Sequence, residues 1–266
     1  MLFRKKEEKR VIELTAAEVR LLREGLMFFH NKCLHDGKPT EDIADLLQKV
    51  MKRQKDREEK FYVSKIFFTS DLHFGHENVL RFDSRPFATV EEMDSELIRR
   101  WNAKVGRGDL VYVLGDMIWK SRNDDAPALI RSLNGQIILI KGNHDRFLHN
   151  ARAKDALAGI KDYDDIAVTL EDGTTRRCIL SHYFIPMYNG HRYQAIHLHG
   201  HSHFTDEADW EVDFADALNR QGVRNEIYNV GCMYWNYEPV TLDEILRHGR
   251  TIRPNYGTRA QAQETI

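Results

Sequence analysis

Five short clusters along the 266-residue chain gather the side chains best able to do chemistry: Asp71-Leu-His73, Gly115-Asp116, Gly142-Asn-His-Asp145, Ser181-His182 and Gly200-His-Ser-His203. Carboxylate, neutral imidazole and amide oxygen all offer lone pairs, and together they form a donor set suited to divalent cations. The adjacent glycines let the chain turn sharply and bring the next side chain forward. Taken singly, an Asp-x-His or a Gly-Asp is common, and a lone His or Asp is more often structural or exposed. All five in one chain, each following a run of strand-forming residues, call for a shared site.

An α/β scaffold is what would position them. Lys65–Thr69, Leu110–Leu114 and Gln136–Ile140 are short apolar runs rich in β-formers, too short for buried helices, and they read as strands. Between the first two, Thr89-Val-Glu-Glu92 has capping-box spacing ahead of Met93, Leu97, Ile98 and Trp101. A second helix over 125–133 is expected to end at Asn134-Gly135. Farther on, Ile166–Leu170 and Arg176–Ser181 flank Asp172-Gly173, a strong hairpin signal, and Ala195–Leu198 and Glu226–Val230 suggest further strands in an antiparallel or mixed arrangement. Loops beyond the carboxyl ends of such strands share one rim, where residues distant in sequence converge. The stretches 183–193 and 205–224 read as loops that shape the pocket.

In this order the five clusters resemble the signature of the calcineurin-like metallophosphoesterase superfamily, over roughly residues 64–245. The stretch from Phe68 to Phe87 is similar to a small bacterial and phage branch that shares the opening Thr69-Ser-Asp-Leu-His-Phe-Gly-His-Glu-Asn78. The resemblance implies an α/β fold, a four-layer αββα β-sandwich flanked by helices. It also implies two divalent cations: one on Asp71, His73 and His203, the other on Asn143, His182 and His201, with Asp116 bridging them. Manganese is the first expectation, and iron, zinc, nickel, cobalt or magnesium accept the same donors. A hydroxide shared by the metals would attack phosphorus in line with the leaving group. His144 is the candidate proton donor to that group or a stabiliser of charge on the phosphoryl oxygens, with Asp145, a place where the family has Glu or Asp, orienting its ring. His76 is a candidate contact to the leaving group, and Arg81 and Arg85 are candidates for phosphate oxygens.

Other histidines carry no such pattern. Gly200 is expected to interrupt the alternation of His197, His199, His201 and His203, leaving the first two outside the donor set, while His30, His35, His149, His191 and His248 read as surface residues. Cys178 and Cys232 sit in apolar strand contexts, and Trp235, Tyr237 and Pro239 are expected to pack the last strand.

Residues 1–60 read as a separate helical hairpin and hinge, 61–250 as the metallophosphoesterase domain and 251–266 as a flexible tail. Val19, Leu22, Leu26, Phe29 and Cys33 recur at helical spacing, as do Ile43, Leu46, Leu47, Val50 and Met51. This apolar face is expected to dock on the catalytic domain, on a second copy of the chain or on a partner. A net charge of −2 provides no overall field for nucleic acid or membrane, and the small basic excess of residues 1–60 is too slight for a nucleic-acid arm. Three widely separated cysteines without a Cys-x-x-Cys spacing argue against a disulfide framework and point to the cytoplasm, and there is no apolar run of membrane-spanning length. The expected activity is hydrolysis of a phosphodiester or phosphomonoester in a nucleotide, another small phosphorylated molecule or a nucleic-acid end. The alternatives are a protein phosphatase, for which no peptide groove is evident, and a non-catalytic metal-binding scaffold.

Overall fold

Alternation along the three central strands sorts their side chains into two layers. Phe67, Val111, Val113, Ile137 and Leu139 belong to one buried cluster, whereas their neighbours Phe68, Tyr112, Leu114 and Ile140 belong to another. A strand buried on both faces reads as a continuous apolar run, which is how these strands appear in the sequence. The computed structural model describes residues 65–223 and 225–249 and scattered positions between 22 and 46. The chain divides into two units, Met1–Phe61 and Tyr62–Ile266. In the first, Leu22, Leu26, Phe29, Cys33, Ile43 and Leu46 are helical. The rest of the hairpin reading, and the tail reading of 251–266, lie outside the described residues.

In the second unit, β1 (Ile66–Thr69), β2 (Leu110–Val113), β3 (Gln136–Ile140) and β4 (Gly159–Lys161) run parallel, and β9 (Val240–Thr241) joins β1 antiparallel. The order is β4-β3-β2-β1-β9. A second sheet, β5-β6-β7-β8, is mixed: β5 (Asp164–Thr169) and β6 (Thr175–Leu180) form the expected hairpin, while β7 (Ile196–His199) and β8 (Glu226–Asn229) continue parallel to β6.

Two short helices, α1 (Val79–Phe82) and α4 (Ala151–Lys154), flank the longer α2 (Val90–Lys104) and α3 (Ala126–Ser132). Met93, Leu97 and Trp101 of α2 and Leu129 and Ile130 of α3 cover the outer face of the first sheet. The inner face packs on Val168, Cys178, Leu180, Ile196 and Leu198 of the second sheet, closed at one side by Leu242 and Ile245 of α6 (Leu242–His248). Burying each such side chain fully stabilises the fold by about 1.5–3 kcal/mol relative to exposure. On the far side, Ile179 and Ile227 meet Phe184, Ile185 and Tyr188. The two sheets flanked by helices are the mixed α/β sandwich that the resemblance implied.

The capping signals show where local rules hold. Thr89 accepts from the Glu92 amide at 3.2 Å, but the Glu92 carboxylate reaches one residue farther back, to the Ala88 amide at 2.8 Å. The reciprocal box forms instead at Thr241 and Glu244, which opens α6. Residues 205–224, read as a loop, are largely a helix, α5 (Asp206–Arg220), with Thr205 at its N-cap and Asp206, Glu207 and Asp209 in its first turn. The positions it buries, Ala208, Ala215 and Leu218, are small or widely spaced, while its large apolar side chains Trp210 and Phe214 are exposed, so the stripe that packs is weak in the sequence. Trp235 and Tyr237 are buried against the two cores, as expected.

Candidate metal centre

Every cluster leaves its strand at the same end. β1 leads into Asp71 and His73, β2 into Asp116, β3 into Asn143, β6 into His182, and β7 into His201 and His203. The site therefore stands on the rim of both sheets. Hydrogen bonds between the loops fix their spacing: Asp71 N to Gly115 O at 3.1 Å, His73 N to Asp116 O at 3.0 Å, and Gly200 N to His182 O at 2.9 Å. A bridge between Ser70 and Gly231 joins the end of β1 to the end of β8.

The backbone is bent to present these side chains. Asp71, His73, Asp116, His201 and His203 all have φ between +46° and +74°, a region costly for residues with a Cβ and held here by the surrounding structure. Gly142 and Gly200 make room for this: an added Cβ would collide with the Asp116 carboxylate at the first and with Ser70 and the Asp71 carboxylate at the second.

The structure brings all seven expected ligands together. Asp71, His73, Asp116 and His203 form one group and Asp116, His182 and His201 a second, each with its donor atoms within 4.8 Å of one another, and Asp116 belongs to both. In the first, His73 Nε2 faces His203 Nε2 at 3.1 Å and Asp116 Oδ2 at 3.7 Å, and His203 Nε2 lies 3.4 Å from Asp71 Oδ1. In the second, His182 Nε2 faces Asn143 Oδ1 at 3.0 Å, His201 Nδ1 at 3.2 Å and Asp116 Oδ2 at 3.6 Å.

This arrangement fits cations. Asp71 Oδ1 is buried and makes no hydrogen bond, an expensive state for a carboxylate oxygen unless a positive ion answers it. The His182 Nδ1–H donates to Leu114 O at 2.8 Å, so the Nε2 lone pair is turned toward the other donors. Burial penalises every charge here. Asp71 is nonetheless held well below the usual carboxylate range, because His203, His182 and His73 outweigh its desolvation. Burial and then the charge of Asp71 raise Asp116. Burial, followed by the charges of His203 and Arg85, pushes His73 down. His203 goes the other way: burial opposes its charge, but Asp71 and Asp83 lift it to about 10. A proton on His203 thus supplies part of the positive charge that this carboxylate pair demands.

The residues assigned softer roles fare differently. His144 is half-buried, its ring 5.8 Å from that of His73 and 4.8 Å from that of Trp119, and its backbone N–H donates to Asp116 Oδ1 at 2.8 Å. Asp145 does not orient that ring. Its oxygens accept instead from the backbone amides of Asp116 (3.0 Å), Met117 (2.9 Å) and Gly142 (2.7 Å), tying together the loops after β2 and β3. His76 stacks on Trp119 at 3.7 Å with Nδ1 3.3 Å from His73 Nδ1, so it buttresses His73. Arg85 is also corrected: it is buried, and all its N–H groups point at Asp83, Leu72 O, Asp71 O and the Met93 sulfur, leaving none for phosphate. Arg81 is exposed on α1 and donates to Asn78 Oδ1 at 3.0 Å. His197 and His199 are buried in β7 outside the donor groups, with Nδ1 of each on a backbone carbonyl.

Three residues were not anticipated. Trp119 stacks His76, Tyr183 sets its ring against His182 and His201 at 4.9 and 4.6 Å, and Asp83 accepts from His203 Nδ1 at 2.8 Å. The only trace of them in the sequence is proximity to the clusters.

Comparison with known proteins agrees with this geometry. The family model described as calcineurin-like phosphoesterase matches residues 64–249, and the chain belongs to that family. An uncharacterized protein of Methanocaldococcus jannaschii is 30% identical over 207 residues, 71% of this chain and 95% of that one. The gene 66 protein of Mycobacterium phage D29 is 32% identical over 163 residues, 53% of this chain and 79% of its own. A solved structure of a protein of unknown function from Aquifex aeolicus superposes with a TM-score of 0.50 at 22% identity, covering 70% of this chain and 99% of that one, which is a likeness of fold. Family membership and the buried Asp/His groups together support a metal-dependent phosphoesterase.

Proposed function

We propose that the protein hydrolyses a phosphodiester or phosphomonoester bond in a nucleotide, another small phosphorylated molecule or a nucleic-acid end. The observation that carries this reading is one carboxylate, Asp116, shared by two donor groups. Two divalent cations held there, with manganese our first choice, would supply the charge that draws phosphoryl oxygens and acidifies a water. Asp71, His73 and His203 would hold one and Asn143, His182 and His201 the other. The loops behind them, tied by Asp145 and by the Ser70–Gly231 bridge, keep both groups in place without rearrangement during the reaction. His144, half-buried beside His73 and braced by Trp119, would pass a proton to the departing oxygen.

Among the described residues no helix is long and apolar enough to cross a membrane, and the three cysteines are free and buried. Both observations suit activity in the reducing cytoplasm. The test is turnover of bis(p-nitrophenyl) phosphate and of p-nitrophenyl phosphate with added manganese. Preference for the first supports a diesterase and preference for the second a monoesterase. Turnover of neither by metal-loaded protein would sink the enzymatic reading in favour of a binding scaffold.

A further inference from the structure

Asp83 lies outside the donor set, yet it is the charged partner of one of its members. Its Oδ2 accepts from His203 Nδ1 at 2.8 Å, and both residues are buried. The same oxygen accepts from Arg85 Nε at 3.1 Å and Nη2 at 3.0 Å. Arg85 in turn donates to Leu72 O at 2.9 Å and Asp71 O at 2.7 Å. One guanidinium thus fastens the backbone of the first ligand cluster to the carboxylate that holds the last ligand. The second donor group has nothing equivalent: His182 Nδ1 meets the neutral Leu114 carbonyl, and the half-buried His201 turns Nε2 toward an exposed Glu207 at 3.8 Å.

We propose that Asp83 is a positioning residue that accepts the Nδ1 proton of His203, fixes the tautomer whose Nε2 faces Asp71 and His73, and makes the Asp71–His73–His203 position the tighter of the two metal sites. A carboxylate behind a ligating imidazole fixes its orientation and makes it a better donor than a carbonyl does. Arg85 holds Asp83 in register and, with every N–H engaged, is itself unable to reach substrate. The inference rests on the dinuclear reading above. A purely structural Asp83–Arg85 ion pair would leave the tautomer and the ranking of the two sites untouched.

The experiment strips the full-length chain with a chelator, titrates it with Zn²⁺ by calorimetry, and reads the imidazole nitrogens of the zinc-loaded protein by ¹H–¹⁵N correlation. The wild type is expected to take up two equivalents in two steps. Asp83→Ala should weaken the tighter step by about 10–100-fold, leave the weaker step unchanged and erase the Nδ1–H signature of His203. Asp83→Asn, whose amide oxygen still accepts that proton, should keep the signature and lose less affinity. If Asp83→Ala does not fold, the asparagine variant decides alone: an unchanged tighter step overturns the proposal. Equal weakening of both steps overturns it as well. A wild type that binds no zinc defeats the dinuclear reading together with this one, whereas two equivalents bound alike by wild type and variants defeat this one alone.

Discussion

Asp116 and His144 lie on neighbouring loops and are joined by a 2.8 Å hydrogen bond from the His144 amide to the Asp116 carboxylate, yet their expected failures differ. Asp116→Asn halves the carboxylate charge of the first donor group and removes that of the second, so metal content by elemental analysis and turnover should both collapse. His144→Ala keeps the backbone N–H that Asp116 uses, so metal content should stay at the wild-type level while turnover falls by about 10²–10⁴-fold. Metal loss in the alanine variant would remove His144 from the acid role. His203, a member of the first donor group, also sets a pH dependence. With its pKa raised to about 10, it is protonated in the metal-free protein at neutral pH, and a cation must displace that proton. Apparent affinity should therefore rise with pH through the neutral range, by up to about tenfold per unit for one proton released. Calorimetry in two buffers of different ionisation enthalpy would show the proton, and a pH-independent affinity would contradict it. At this scale the donors were legible because their chemistry is narrow and each follows a strand. The supports were not. Whether Arg85 or Asp145 faces the cleft or the interior depends on packing that no spacing encodes, and both turned inward.

At the scale of elements, α5 shows how a buried polar contact writes a pH response into a helix. Glu211, on that helix, accepts from Ser202 Oγ at 2.8 Å, and its pKa is raised to about 8, by burial first and then by its acidic neighbours Glu207 and Asp71. A carboxyl that holds its proton more tightly folded than unfolded contributes stability fully present below about 4.5, lost as pH rises through about 8. The melting temperature of the wild type should accordingly drop more between pH 5 and pH 9 than that of Glu211→Gln. Parallel curves for the two proteins would reject this. The β-runs and α2 could be read from periodicity, since Met93, Leu97 and Trp101 define one face. Helix α5 could not, because its acidic first turn is followed by large apolar residues, Trp210 and Phe214, that face solvent, while the face it buries carries only Ala208, Ala215 and Leu218.

For the whole molecule, residues 1–60 fall in a unit separate from the one that holds every donor. Their deletion should alter oligomeric state or solubility, measured by light scattering, before it alters turnover of the loaded enzyme. Loss of turnover in a well-folded deletion would assign that unit a part in the chemistry.

The seven donors do not sit on one body. Asp71, His73, Asp116 and Asn143 extend from the first sheet, His182, His201 and His203 from the second, and the Ser70–Gly231 bridge joins the hydrogen bonds from His182 to Leu114 O and from the His201 amide to Asp71 in stitching them together at that end. The distance between the two halves of the cage therefore depends also on the layer of Phe68, Leu114, Leu180 and Leu198 that separates the sheets. Hydrophobic side chains that touch neither ion nor substrate act as the shim of the instrument. Change in their thickness would detune the reaction from within, with every ligand still present.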